Sequence, residues 1–179
     1  MGFAVRHTDL IKRLVLMNTW AFARWPGGEL PRLIEIIRSH KGESFVLEKN
    51  GYPERALLGT SMNQAAYDPP VLDAYLAPFP TPESRLALLC WSRDITTGPG
   101  DPSYSELKRI EEALPKFVEI PVLLLWGMLD PVLPPDVLRK WITVYPHAWV
   151  REIDNASHFL QEDAPEKVLE ELEKFLEET

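Results

Sequence analysis

Pro121-Val-Leu-Leu-Leu-Trp126, followed by Gly127-Met-Leu-Asp130-Pro131, is the stretch on which the fold turns. An apolar run with no polar alternation suits a strand buried on both faces of a parallel sheet, and Gly127 ends it. Asp130 then falls on the loop that leaves the strand. Two more strands lie outward from this one: Arg13-Leu-Val-Leu-Met17 upstream, and Ala148-Trp-Val-Arg-Glu-Ile153 downstream, which runs into Asp154-Asn-Ala-Ser157. A helix of about 135–145 separates the second strand from the third. Asp163-Ala-Pro-Glu166 reads as the capped start of a last helix, with Val168, Leu172, Phe175 and Leu176 on one face. Strand, helical stretch, strand, helix, strand, helix is the order of an open parallel α/β sheet.

The stretch between the first two strands is of another kind. The chain has 17 prolines, clustered between residues 53 and 135, and proline breaks long elements. Short helices are expected over 30–40, with Leu33, Ile34, Ile36 and Ile37 on the apolar side, and near 43–50, 70–76, 82–91 and 103–117, with no strand among them. The chain therefore divides into 1–20, a remnant of a core helix and the first strand; 21–116, a helical cap; and 117–179, the C-terminal part of the core.

Composition narrows the function. The 179 residues are 45% hydrophobic, with six Trp, five Tyr and seven Phe, enough apolar area for a packed core rather than a disordered chain. A net charge of −8 without a basic block removes the attraction to phosphate on which nucleic-acid binding rests. No run approaches the roughly 18 apolar residues of a membrane span, and the N-terminus lacks a signal-peptide pattern. Cys90 is the single cysteine, and no Cys/His cluster has zinc spacing, so no metal and no cofactor is expected. The expected location is cytoplasmic.

In open α/β sheets the chemistry sits on loops at the carboxyl ends of strands, which here carry Asn18-Thr-Trp20, Asp130 and His158. Neighbouring parallel strands are about 4.8 Å apart, so the Asp130 carboxylate and the His158 imidazole can meet. A carboxylate bonded to one ring nitrogen fixes the tautomer and leaves the other nitrogen to take a proton. The spacing alone also fits a turn-forming Asp and a loop His, and both readings stand at this level.

The residues also resemble a family. Arg13–Trp20, Ala74-Tyr-Leu-Ala-Pro-Phe-Pro80, Leu125-Trp-Gly-Met-Leu-Asp-Pro-Val-Leu-Pro134 and His158-Phe-Leu-Gln-Glu-Asp163 look like the second half of a haloalkane dehalogenase of the α/β-hydrolase superfamily. The resemblance implies a partial α/β-hydrolase fold: a short parallel sheet with a helical cap, the N-terminal half of the sheet missing. It implies Asp130 as catalytic acid and His158 as the base that hydrolyses an aspartyl ester, with Trp20 and Asn18 as substrate contacts. Asn18 stands where some relatives carry a Glu as the acid, which agrees with Asp130 in that role.

Two departures accompany it. The family's nucleophile sits on a sharp strand-to-helix turn, and this sequence has no Gly-x-Asp-x-Gly or Gly-x-Ser-x-Gly; Gly59-Thr-Ser-Met-Asn63 lacks the second glycine. Cys90 and Ser92 fall in an expected cap helix, with no strained turn to activate them. The lid tryptophan that binds halide in one subgroup is absent from 43–52, where Phe45 stands. Tyr52, Tyr67 and Tyr75 invite comparison with the paired lid tyrosines of epoxide hydrolases, against turn or packing roles. Trp25, Trp91, Trp141 and Trp149 read as packing.

The expectation is a hydrolase fragment that supplies the acid and base of a triad and needs a complementing N-terminal half. Its substrate in the complete enzyme would be a small apolar halogenated compound, or an ester or epoxide. The alternative is a non-catalytic fragment folded as a homo-oligomer.

Overall fold

The computed structural model describes residues 1–24 and 30–179. Helix α1 (Gly2–Arg6) and a 3-10 turn (Thr8–Leu10) lead into strand β1 (Leu14–Met17). Helices α2 (Leu30–Arg38), α3 (His40–Leu47), α4 (Gly51–Gly59), α5 (Pro69–Leu76), α6 (Pro82–Asp94) and α7 (Tyr104–Ala113) follow, and no strand interrupts them among the described residues. Strand β2 (Val122–Gly127), helix α8 (Pro135–Val144), strand β3 (Trp149–Ile153), the short helix α9 (Leu160–Asp163) and helix α10 (Pro165–Glu178) complete the order.

The three strands form one parallel sheet in the order β1-β2-β3. Leu14 to Met17 stand opposite Val122 to Leu125, and Leu123 to Gly127 opposite Trp149 to Ile153, so all three carboxyl ends open on one edge. Every residue of β2 is buried, as its unbroken apolar run requires. Leu124 and Trp126 pack with Phe22, Val137 and Trp141 on one face; Leu123 and Leu125 pack with Leu160, Val168 and Phe175 on the other.

The helical stretch has its own small core of Ile34, Ile37, Val46 and Leu89. Its boundaries depart from the sequence reading. α3 starts three residues early because the Ser39 hydroxyl accepts from the Gly42 amide, and the chain can turn there only because Gly42 has no side chain: a Cβ would lie 2.3 Å from the Ile36 carbonyl oxygen. α4 was not foreseen. Asn50 enters it at φ 49, in the left-handed region, and Gly51 lets the Phe45 ring approach to where a Cβ would be 2.4 Å away.

The buried Arg85 guanidinium donates to the carbonyls of Leu47, Phe79 and Pro80 and so ties α3 to the turn before α6. Asp101 accepts from the amides of Thr97 and Gly98 and pairs with Arg38 at 2.7 Å. Burial pushes its carboxyl up, but these partners outweigh burial and hold it at about 2.

Other sequence expectations need correction. On α2 only Ile34 and Ile37 are buried, while Leu33 and Ile36 are exposed, because the helix packs through a narrow stripe. Leu176 of α10 is likewise exposed, whereas Val168 and Phe175 are buried. Trp91 does not pack: it is 66% exposed, while Trp141 is fully buried and Trp149 meets Phe175 edge-on. Trp25 lies outside the described residues. Asp163 does not cap α10, whose first turn receives no side-chain bond; it ends α9 and is committed elsewhere.

Candidate active site

At the carboxyl edge of the sheet each strand exit contributes one side chain. Asn18, directly after β1, takes φ 29 and folds its amide back over the end of β2. Its Oδ1 accepts from the Gly127 amide at 2.7 Å, and its Nδ2 donates to the Gly127 carbonyl at 3.2 Å and to Asp130 Oδ2 at 2.7 Å. The side chain thus extends the β1–β2 ladder past Met17. Both its polar atoms are engaged within the protein, so Asn18 braces Asp130 while also lining the cavity described below.

Asp130 accepts four hydrogen bonds. Oδ1 takes the amides of Val132 at 2.7 Å and Leu133 at 3.0 Å; Oδ2 takes Asn18 and His158 Nδ1, the latter at 2.7 Å. The Trp126 indole fastens the same turn by donating to the Leu133 carbonyl at 2.9 Å. Burial alone raises the Asp130 carboxyl, but the bond and charge of His158, together with Leu133 and Asn18, hold it below its usual value. An ionised carboxylate can only accept, so His158 Nδ1 carries the hydrogen and Nε2 is left as a proton acceptor.

The β2 and β3 exit loops bring the pair together by backbone contact. Met128 and Leu129 donate to the carbonyls of Ile153 and Ala156, and the Ser157 hydroxyl donates to the Leu129 carbonyl. Gly127 makes this closeness possible: a Cβ would sit 2.3 Å from the Ser157 carbonyl oxygen. The His158 amide in turn donates to the Thr60 carbonyl of the loop after α4, at 3.0 Å.

His158 faces a cavity of about 880 Å³ between the sheet edge and the helical stretch. Its wall is mostly apolar, including Trp20, Leu33, Phe45, Trp91, Ile110 and Val132, a make-up typical of small-molecule sites. Trp20 meets Phe22 edge-on, and Lys140 lies over the faces of both rings. Tyr52 is on the wall, but Tyr67 and Tyr75 are not; Tyr75 donates to Glu162, and burial followed by that carboxylate pushes its phenol up to about 12. Cys90 is exposed and Ser92 buried, and neither lines the cavity. Sequence reading missed Thr60 and Asp163; the signal for Asp163 was its distance of five residues from His158, within reach of one helical turn.

Residues 3–165 match the family model described as alpha/beta hydrolase fold. The chain belongs to that family. Within the alpha/beta hydrolases it is 34% identical over its full length to a cis-3-alkyl-4-alkyloxetan-2-one decarboxylase from Shewanella oneidensis, 56% of which it covers. It is 27% identical over 94% of its length to haloalkane dehalogenase 2 of Mycobacterium bovis, covering 57% of that protein. The haloalkane dehalogenase of Agrobacterium tumefaciens C58 has the same fold, with a TM-score of 0.80 at 23% identity over 99% of this chain and 62% of that one. The chain therefore spans little more than half the length of the relatives it matches. The partial α/β-hydrolase sheet expected from the sequence agrees with the three parallel strands.

Proposed function

We propose that this chain supplies the acid, the base and the substrate cavity of a hydrolase that works through an ester on a carboxylate nucleophile. The observation that carries the reading is the 2.7 Å contact between His158 Nδ1 and Asp130, on a ring that faces an apolar cavity. As water adds to the ester carbonyl, His158 Nε2 takes its proton. The imidazolium is stabilised by Asp130, and when the tetrahedral intermediate collapses the proton passes to the departing alkoxide, restoring the carboxylate. Asn18 acts in this reading by holding Asp130, and Trp20 by walling the cavity.

No Gly-x-Asp-x-Gly or Gly-x-Ser-x-Gly occurs within residues 1–179, so the attacking group belongs to a complementing N-terminal half. For the substrate, the higher identity to the oxetanone decarboxylase and the large apolar cavity favour a lipophilic strained lactone with two alkyl arms. A haloalkane is the second reading, favoured by the dehalogenase matches, with Phe45 where the resemblance would place a halide-binding tryptophan. Among the described residues no helix is long and apolar enough to cross a membrane, and cytoplasmic residence remains part of the proposal.

The test adds to the purified chain a complementing N-terminal half, taken from the part of the Shewanella oneidensis relative that this chain does not cover, and offers a cis-3,4-dialkyloxetan-2-one and 1-bromobutane. Lactone consumption that requires His158 supports the first reading, and halide release without lactone consumption supports the second. Inactivity toward both, with the two pieces associated, would overturn the enzymatic reading in favour of a non-catalytic folded fragment. The chain alone should release no halide above buffer; turnover that vanished in His158→Ala would show that no second piece is needed.

A further inference from the structure

Asp163 holds four hydrogen-bond donors that belong to two distant parts of the chain. Its Oδ2 accepts from the amide of Ser157, the residue directly before His158, at 2.7 Å. Its Oδ1 accepts from the Ser61 hydroxyl and from the amides of Met62 and Asn63, both at 2.8 Å. Among the described residues no Lys or Arg pairs with it, so within the protein its charge is met by hydrogen-bond donors that are themselves uncharged. Neither neighbouring helix uses it: α9 and α10 both start without a side-chain cap.

We propose that Asp163 is a positioning residue for His158, coupling the base to the cavity wall at residues 60–63; the proposal rests on the reading of His158 as the base. Two clamps converge on one loop. The His158 amide grips the Thr60 carbonyl, and Asp163 grips the next three residues while holding the amide of Ser157, one residue before His158. Thr60 itself lines the cavity, so a molecule that displaces it shifts a hydrogen bond to the backbone of His158. A carboxylate is needed because the donors approach from both ends, and only an acceptor-only group can receive them all. An Asn in its place would turn an N–H toward one set of donors.

The test is amide exchange and imidazole NMR on the full chain, neither of which requires turnover, so a wrong substrate assignment leaves it intact. Asp163→Asn should lower exchange protection at Ser157, His158, Met62 and Asn63 by at least about tenfold. It should also broaden or shift the His158 Nδ1 proton signal that reports the bond to Asp130. Asp101→Asn is the matched control, since Asp101 also collects backbone and hydroxyl donors but touches neither loop; it should leave that signal in place. Ser61→Ala removes one donor and should move the signal in the same direction by less. A folded Asp163→Asn chain with unchanged His158 protection and Nδ1 signal would overturn the proposal, as would an equal loss in Asp101→Asn. If Asp163→Asn does not fold, Ser61→Ala decides: weakened protection at residues 62 and 63 with the signal unmoved would also overturn it.

Discussion

Asp130 has no solvent-exposed side-chain surface, and four donors point at it. Asp130→Ala would strand all four in a buried site, with an expected loss of about 3 kcal/mol of unfolding free energy, measured by urea titration. Asp130→Asn keeps an acceptor for Val132 and Leu133 and should lose less. The pH dependence has a fixed sign. Because the folded-state carboxyl lies below its usual 3.8, its contribution is fully present above that value and is lost as pH falls through the lower, folded-state value. The urea midpoint of the parent chain should therefore fall more steeply below about pH 4 than that of Asp130→Asn. The sequence made Asp130 and His158 legible because both follow apolar strands on one sheet edge. It concealed the inward commitment of Asn18, since a three-bond amide clasp depends on a φ of 29 that composition does not encode.

Strands were read from sequence within a residue or two because a buried parallel strand is a continuous apolar run. The helical stretch was harder, since its boundaries depend on glycines whose hydrogen atoms face backbone or rings from other elements. Gly42 lets α3 begin ahead of the expected 43–50, Gly51 opens the unforeseen α4, and no local periodicity reports a contact with Ile36 or Phe45. Asp163 was misread for a related reason: its position before Ala-Pro-Glu suits a cap, but four donors from elsewhere outcompete one helix end. At this scale Gly127→Ala is the sharpest test of how the two exit loops meet. A methyl group there must push apart the β2 end and the Ala156-Ser157 backbone, and overpacking against backbone should cost at least about 2 kcal/mol. The measurement is the thermal midpoint, accompanied by loss of the His158 Nδ1 proton signal.

The sheet's two outer strands are protected to different degrees. β3 carries Arg151 and Glu152, and Arg151 is paired with Glu171 at 2.6 Å, the charged dressing that discourages strand addition. β1 offers only Leu14, Val15, Leu16 and Met17, pairs among the described residues with β2 alone, and leaves Val15 exposed. A homodimer or larger assembly with residues 2–20 near the interface is the expected outcome for the chain alone, and a complementing half should compete with it. Light scattering after size exclusion should give about 41 kDa for a dimer of the 20.5 kDa chain; a clean monomer at micromolar concentration would show that the edge is covered internally. The left-handed Asn50 at the start of α4 has a consequence on the scale of storage time. Gly51 cannot be replaced while Phe45 occupies its space, so the Asn-Gly junction that is chemically most open to succinimide formation is fixed in place by packing. Ageing at mildly alkaline pH should convert Asn50 in part to aspartate and isoaspartate, visible as more acidic bands on isoelectric focusing. The isoaspartyl form adds a methylene to the main chain just ahead of the helix that carries Tyr52 and ends at Gly59 on the cavity wall, so old preparations should bind a lipophilic probe differently from fresh ones.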